Sequence, residues 1–262
     1  MNLLCQRLNL TSLDAQLPSL LDAARVQQLS YEAFLELALT TEVAGRQQRA
    51  QERRLRAARL PFPARLDSFD FRFQPSVSER LMRELASLAF LQTATNVLLL
   101  GPPGVGKTHL ACSLAVAALE AGHSALFVTL RDLAQQLSAV PPRGGRTAIR
   151  RYSQPTLLII DEVGYSSLSE EQAQGLFDLV AARYQRRSTI LTSNLTFAEW
   201  GHLLGDVVLA TALLDRLLHH AEVVAINGRS YRMRQRLGAD QTAPALRGGS
   251  GTEELLGNIS AE

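Results

Sequence analysis

One octapeptide limits this chain to few folds: Gly101-Pro102-Pro103-Gly104-Val105-Gly106-Lys107-Thr108. It fits the pattern G-x-x-x-x-G-K-[ST]. A short apolar run, Val97–Leu100, precedes it, and a helical pattern, His109–Glu120, follows it. Strand, glycine-rich loop and helix in that order make the phosphate-binding turn of a parallel α/β unit. Glycines let the backbone curl so that successive N–H groups face inward, and the helix start adds its positive end. The group such a loop receives is a polyphosphate. Lys107 is placed for the β- and γ-phosphates and Thr108 for a magnesium ion. The expected ligands are therefore ATP and Mg2+, held by Gly101 to Thr108 with His109 beside them.

The flanking sequence extends the same architecture. From Asn96 onward, apolar runs alternate with helical patterns. Strands are expected at 96–100, 125–130, 156–161, 188–194 and 222–226, with helices between them over 109–120, 131–139, 170–185 and 197–218. Continuous apolar strands separated by helices predict a five-stranded parallel sheet covered on both faces. A further helix is expected near 78–91. Residues 1–60 read as helical, with Leu13, Leu17, Leu20, Leu21 and Ala24 at three- and four-residue spacing, and Ser30 placed to cap a second helix. Pro61 and Pro63 open a linker. PPRGGR (141–146) reads as a loop. The last residues are rich in Gly, Ala, Ser and Thr without periodicity and read as a disordered tail. The domains expected are 1–65, 66–237 and 238–262.

Composition narrows the partners. Hydrophobic residues make up 46%, a globular proportion, and no apolar run has membrane-spanning length. The N-terminus has no secretory pattern, and Cys5 and Cys112 make neither a metal motif nor a disulfide framework, so a cytoplasmic setting is expected. Net charge is only +2, but 26 of the 27 basic residues are arginine. The single lysine is Lys107, where a compact ammonium is required and a planar guanidinium would not fit.

Leu157-Leu-Ile-Ile-Asp161-Glu162 is the second chemical stretch. Four apolar residues bury a strand and put two carboxylates at its C-terminal tip, the end at which open α/β sheets bind ligands. Asp161 is placed to hold the magnesium and Glu162 to polarise an attacking water as general base. A small-molecule P-loop enzyme would need no such pair, and no acceptor site is visible. Asn194 closes the strand STILTSN and is either a turn residue or, if that strand lies between the other two tips, a contact for the γ-phosphate and the water. Arg216 is either a surface arginine on an amphipathic helix or a residue that completes a neighbour's site in trans. Arg46, Arg49, Arg53 and Arg56 recur at spacings of three, four and three, along one helix face. Such a stripe can follow the phosphates of a DNA duplex. Arg143, Arg146, Arg150 and Arg151 form a second basic group. Aromatic interleaving is absent, which argues against single-strand stacking.

Together these stretches resemble the IstB-type ATPases, transposition helper proteins of bacterial insertion sequences. That family lies within the AAA+ superfamily and is related to DnaC and DnaA. The likeness runs from residue 1 to about 237. It is carried by GPPGVGKTHLA, LSYEAFLELAL, RLRAARLPFPARLDSFDF, LLIIDEVGY, AARYQRRSTILTSNLTFAEWG, ALLDRLLHHAEVV and GRSYRMRQR. It implies an ATPase that binds duplex DNA, forms a homo-oligomer with ATP, and recruits an IstA-type transposase. It places Arg216 at the arginine finger. It also implies an AAA+ core without a separate C-terminal lid, because only a short basic segment (Arg229, Arg232, Arg234, Arg236) follows the last strand. The alternative within the resemblance is a DnaC-like helicase loader acting on single strands. PPRGGR departs from the family, whose members run longer and helical there.

Overall fold

The computed structural model describes residues 2–138 and 145–233. The tail, most of the 141–146 segment, Arg143, Arg234 and Arg236 lie outside the described residues. The chain divides into two compact units, one ending at Arg56 and the other starting at Ala57. This division falls before the proline linker, and packing explains why. Ala58 and Ala64 are buried, and Leu60 and Leu66 pack on the core of the second unit.

The first unit is helical. Helix α1 spans Asn2–Arg7, α2 spans Thr11–Val26 and α3 starts at Tyr31 and runs on to Ala58. Ser30 caps α3 as its sequence suggests, accepting the Ala33 N–H at 3.2 Å. The core is small: Cys5, Leu13, Leu17 and Ala38, with Leu10, Leu20, Leu21 and Phe34 around them. A buried carboxylate joins two of the helices. Glu42 of α3 is 3% exposed and accepts the Ser12 and Leu13 N–H groups at the start of α2, at 2.8 and 3.0 Å. Two of the otherwise orphaned donors of a helix N-terminus are satisfied in this way. Arg46 and Arg49 pair with the same carboxylate at 2.8 and 3.2 Å.

The second unit opens with a short turn at Leu66–Ser68, then α4 (Glu79–Ala86) and α5 (Ala89–Gln92). The single helix expected at 78–91 is broken at Leu88, which takes a left-handed conformation. The alternating series follows: β1 (Asn96–Leu100), α6 (Lys107–Glu120), β2 (Ala125–Thr129), α7 (Leu130–Ser138), α8 (Gly145–Ser153), β3 (Leu157–Val163), α9 (Glu170–Arg183) and β4 (Ser188–Ser193). Then come α10 (Trp200–Leu204), α11 (Val207–Leu218) and β5 (Ala221–Ala225). Gly205, with φ 70°, divides the helical stretch 197–218, and the Asp206 carboxylate caps α11 at the Val208 and Leu209 N–H groups. Only Gly145 and Arg146 of the 141–146 segment are described, and they begin α8 rather than continue a loop.

All strands are parallel, in the order β2-β3-β4-β1-β5. Side chains alternate across the sheet as a two-residue period requires. Leu98, Leu100, Leu158 and Ile160 join one core with α7, α9, α10 and α11. Val97, Leu99, Leu157 and Ile159 join the other with α4, α5 and α6. Trp200 of the FAEWG stretch is fully buried in the first core, so that stretch serves packing. Arg183, 2% exposed, ties α9 to the sheet by donating to the Tyr152, Ser153, Pro155 and Ser188 carbonyls and to Thr189 Oγ1. No helix among the described residues is long and apolar enough to cross a membrane.

Candidate functional site

The strand order brings three stretches far apart in sequence to one edge. β4 lies between β1 and β3, so the phosphate-binding loop after β1, Glu162 at the tip of β3 and Asn194 after β4 line a common cleft of about 270 Å³. The condition on which the reading of Asn194 depended is met.

Left-handed backbone shapes the loop. Gly104 and Gly106 have φ of 83° and 103°. A Cβ at Gly106 would lie 2.6 Å from the Phe69 ring, and one at Gly104 would lie 2.1 Å from Ser230 Oγ. Both the conformation and the space therefore demand glycine. The second contact comes from a segment absent from the motif. After β5 the chain folds back over the loop: Asn227 N–H donates to Ser76 Oγ at 3.0 Å, Gln74 Nε2 to the Arg229 carbonyl at 2.8 Å, and Tyr231 N–H to the Gly104 carbonyl at 2.9 Å. Arg232 reaches the cleft. Among the described residues no helical domain follows β5.

Lys107 Nζ donates to the Gly101 and Pro102 carbonyls at 2.6 and 2.8 Å. Burial lowers its pKa below the ordinary 10.5; Asp161 opposes the shift and the Arg232 charge adds to it. Loss of hydration is thus what disfavours the charged ammonium, and an anion held beside it would favour that charge. Thr108 Oγ1 reaches both oxygens of Asp161, at 3.0 and 3.1 Å, and Asp161 is 4% exposed. A hydroxyl and one carboxylate are hard oxygen donors, which suit a magnesium ion that arrives with phosphates and water. Among the described residues no group of three or more His, Cys, Asp or Glu could hold a metal by itself. His109 lines the cleft and meets Ser68 Oγ at 3.1 Å. Cys112 is buried beneath, and burial, with Asp161 adding, pushes its thiol up to about 12, so it stays protonated near neutral pH.

Glu162 lies in the cleft wall with φ 63°. The pairing of β3 with β4 shifts register between Ile160 and Val163, and such bulges re-aim a side chain. Asn194 N–H donates to the Val163 carbonyl at 3.4 Å, and its Oδ1 is buried with no partner among the described residues.

Arg216 is elsewhere. It lines a hollow with Asn96 and Thr189, which lie at the start of β1 and β4, the opposite end of the sheet from the loop. Its guanidinium lies 4.5 Å from the centre of the Phe177 ring and donates to the Ala212 carbonyl at 2.8 Å. The arginine stripe lies on α3 as its spacing requires, but its members differ. Arg46 and Arg49 are engaged with Glu42, and Arg46 also reaches the Leu8 and Asn9 carbonyls. Arg56 makes an exposed pair with Glu52 at 3.7 Å, and Arg53 is exposed.

Comparison with known proteins decides the family. The IstB-like ATP binding protein family matches residues 4–239. The chain belongs to the IstB-like ATP binding protein family. A Pseudomonas aeruginosa relative, whose name ties it to insertion sequence IS21 and to ATP binding, is 46% identical over 237 residues, covering 90% of this chain and 89% of the relative. An IS5376 counterpart from Geobacillus stearothermophilus is 42% identical over 233 residues, 88% of this chain and 93% of the relative. Membership of the IstB-like family brings ATP binding with it and associates the chain with insertion sequences. Solved structures agree in fold. The DnaC helicase loader superposes with TM-score 0.52 at 23% identity over 63% of this chain and 97% of that one. AMPPCP-bound DnaA from Aquifex aeolicus gives 0.52 at 22% identity over 68% of this chain and 56% of that one. The IstB-like core is thus an AAA+ fold.

Proposed function

We propose that this protein is an ATP-switched assembly factor that oligomerises on duplex DNA and recruits a transposase. One observation carries the reading. The phosphate-binding loop and Glu162 share one cleft, with Asp161 joined to the loop through Thr108, while Arg216 lies at the other end of the same sheet. A site built this way is completed by the next subunit, which makes nucleotide state and assembly one event.

In the proposed reaction, Gly101 to Thr108 wrap the phosphates of ATP with backbone N–H groups, and Lys107 gives up its loop carbonyls for the β- and γ-phosphates. Thr108 and Asp161 hold Mg2+, which when bound neutralises charge on the phosphate oxygens. Glu162 takes a proton from the attacking water. Asn194 turns its amide toward that water and the γ-phosphate, giving its buried oxygen a partner. Arg216 of one subunit stabilises charge on a neighbour's nucleotide. Hydrolysis then ends or triggers the assembled state. On α3, Arg53 and Arg56 contact DNA phosphates, while Arg46 and Arg49 brace the helix that presents them.

Light scattering tests this. The protein is measured with and without ATP, in the presence of a duplex or a single strand. Growth to a large complex only with ATP and duplex is the expected result. Growth on the single strand alone would overturn the reading in favour of a helicase loader.

A further inference from the structure

Between the tips of β3 and β4 lies one hydroxyl that the sequence patterns do not single out. Thr192 of β4 is 1% exposed. Its Oγ1 donates to Asp161 Oδ1 at 2.5 Å and accepts the Glu162 N–H at 3.1 Å. A threonine hydroxyl has one proton and two lone pairs. A carboxylate only accepts and an amide only donates, so the direction of both bonds is fixed.

Each bond has a separate consequence. The register shift between Ile160 and Val163 takes Glu162 out of regular strand pairing. Its N–H would then lack an acceptor, and its φ of 63° is one that a side-chain-bearing residue keeps only where its surroundings hold it. The Thr192 hydroxyl supplies the acceptor. The other bond holds Asp161 Oδ1 from the β4 side, while Thr108 approaches the same carboxylate from α6.

We propose that Thr192 is the positioning residue of this site, setting the Asp161 carboxylate and the backbone of Glu162 through a single buried hydroxyl. The proposal rests on the reading of Asp161 and Glu162 given above. Valine keeps the shape of threonine and removes both bonds; serine keeps both bonds and removes the methyl group. Loss of an outer partner of this kind costs about 10- to 100-fold in metal affinity or activity.

The experiment measures fluorescent-ATP affinity in EDTA and across a magnesium titration, together with kcat and KM, for the full chain and its Thr192→Val and Thr192→Ser variants. Thr192→Val is expected to bind nucleotide normally in EDTA, to need about 10-fold more magnesium for its tightest binding, and to lose about 10- to 100-fold in kcat with KM little changed. Thr192→Ser is expected to restore both. A Thr192→Val protein with the parental magnesium requirement and kcat overturns the proposal. So does a Thr192→Ser protein as impaired as Thr192→Val, because the methyl group would then be what matters. A parental protein without turnover removes the ATPase reading, whereas the magnesium titration still decides the role of Thr192. Should Thr192→Val not fold, hydrogen exchange at the Glu162 amide of the parental protein decides. A protected amide supports the bond, and rapid exchange overturns it.

Discussion

Replacing Glu42 with alanine should unfold the helical unit and leave the nucleotide-binding unit standing. Glu42→Ala removes the acceptor of two backbone N–H groups and the partner of two guanidinium groups. Each buried donor left unsatisfied costs about 1–3 kcal/mol, and the lost pairs with Arg46 and Arg49, whose guanidinium groups stay partly exposed, add about 0–1 kcal/mol. These overlap, so the expected loss is about 3–5 kcal/mol in all. A core as small as that around Leu13, Leu17 and Ala38 supplies roughly the same amount. A thermal melt followed by circular dichroism should therefore lose helical signal at low temperature, while fluorescent-ATP binding persists and duplex binding is lost. Acid should act in the same way. Burial pushes the Glu42 carboxyl up, but Arg46 and the Leu13 and Ser12 N–H groups bring it net below its ordinary 4.5. Its contribution is thus complete above 4.5 and lost as pH falls through the lower folded value. An unchanged helical signal and melt in Glu42→Ala would refute this account of how the unit is held.

Further outcomes follow from the site. Glu162→Gln should bind ATP with parental affinity and turn over at least ~100-fold more slowly; parental turnover would remove it as general base. Arg216→Ala should lose on the order of 1000-fold in kcat and regain activity when mixed with Lys107→Ala, which has an intact arginine and a disabled loop; no recovery on mixing would count against action in trans. Arg53→Ala with Arg56→Ala should lower the salt dependence of duplex binding by a slope of about two, and an unchanged slope would place the DNA elsewhere.

Much of this was readable in the chain because periodicity and backbone chemistry are local. Val97–Leu100 and Leu157–Ile160 announce buried strands, and the glycines around Lys107 specify their own turn. Asp206 after Gly205 is a legible cap, yet the hydrophobic period of 197–218 obscured it. What stayed hidden depends on contacts distant in sequence. Glu42 reads as one acid on a charged helix, and only its meeting with Ser12 and Leu13 makes it an anchor that also engages Arg46 and Arg49 of the stripe. Thr192 in STILTSN reads as β propensity. Its role arises from a register shift that no pattern in LLIIDEV signals. Arg232 reads as one arginine of a short basic segment, and only the folding of that segment back over Gly104 brings it to the cleft.

The parallel sheet gives the second unit a direction: the phosphate-binding loop at one pole and Arg216 at the other. Subunits joined pole to pole make a heterologous contact, which closes into a ring only if the rotation allows and otherwise grows as an open row. In an open row the terminal subunit on one side holds a cleft that no neighbour completes. Turnover would then count junctions rather than subunits, and a lone molecule would have ATP but no completed site to spend it in. Under the proposed function the rate per subunit would rise with the length of the row, and the amount of DNA covered would set how quickly an assembly consumed its nucleotide.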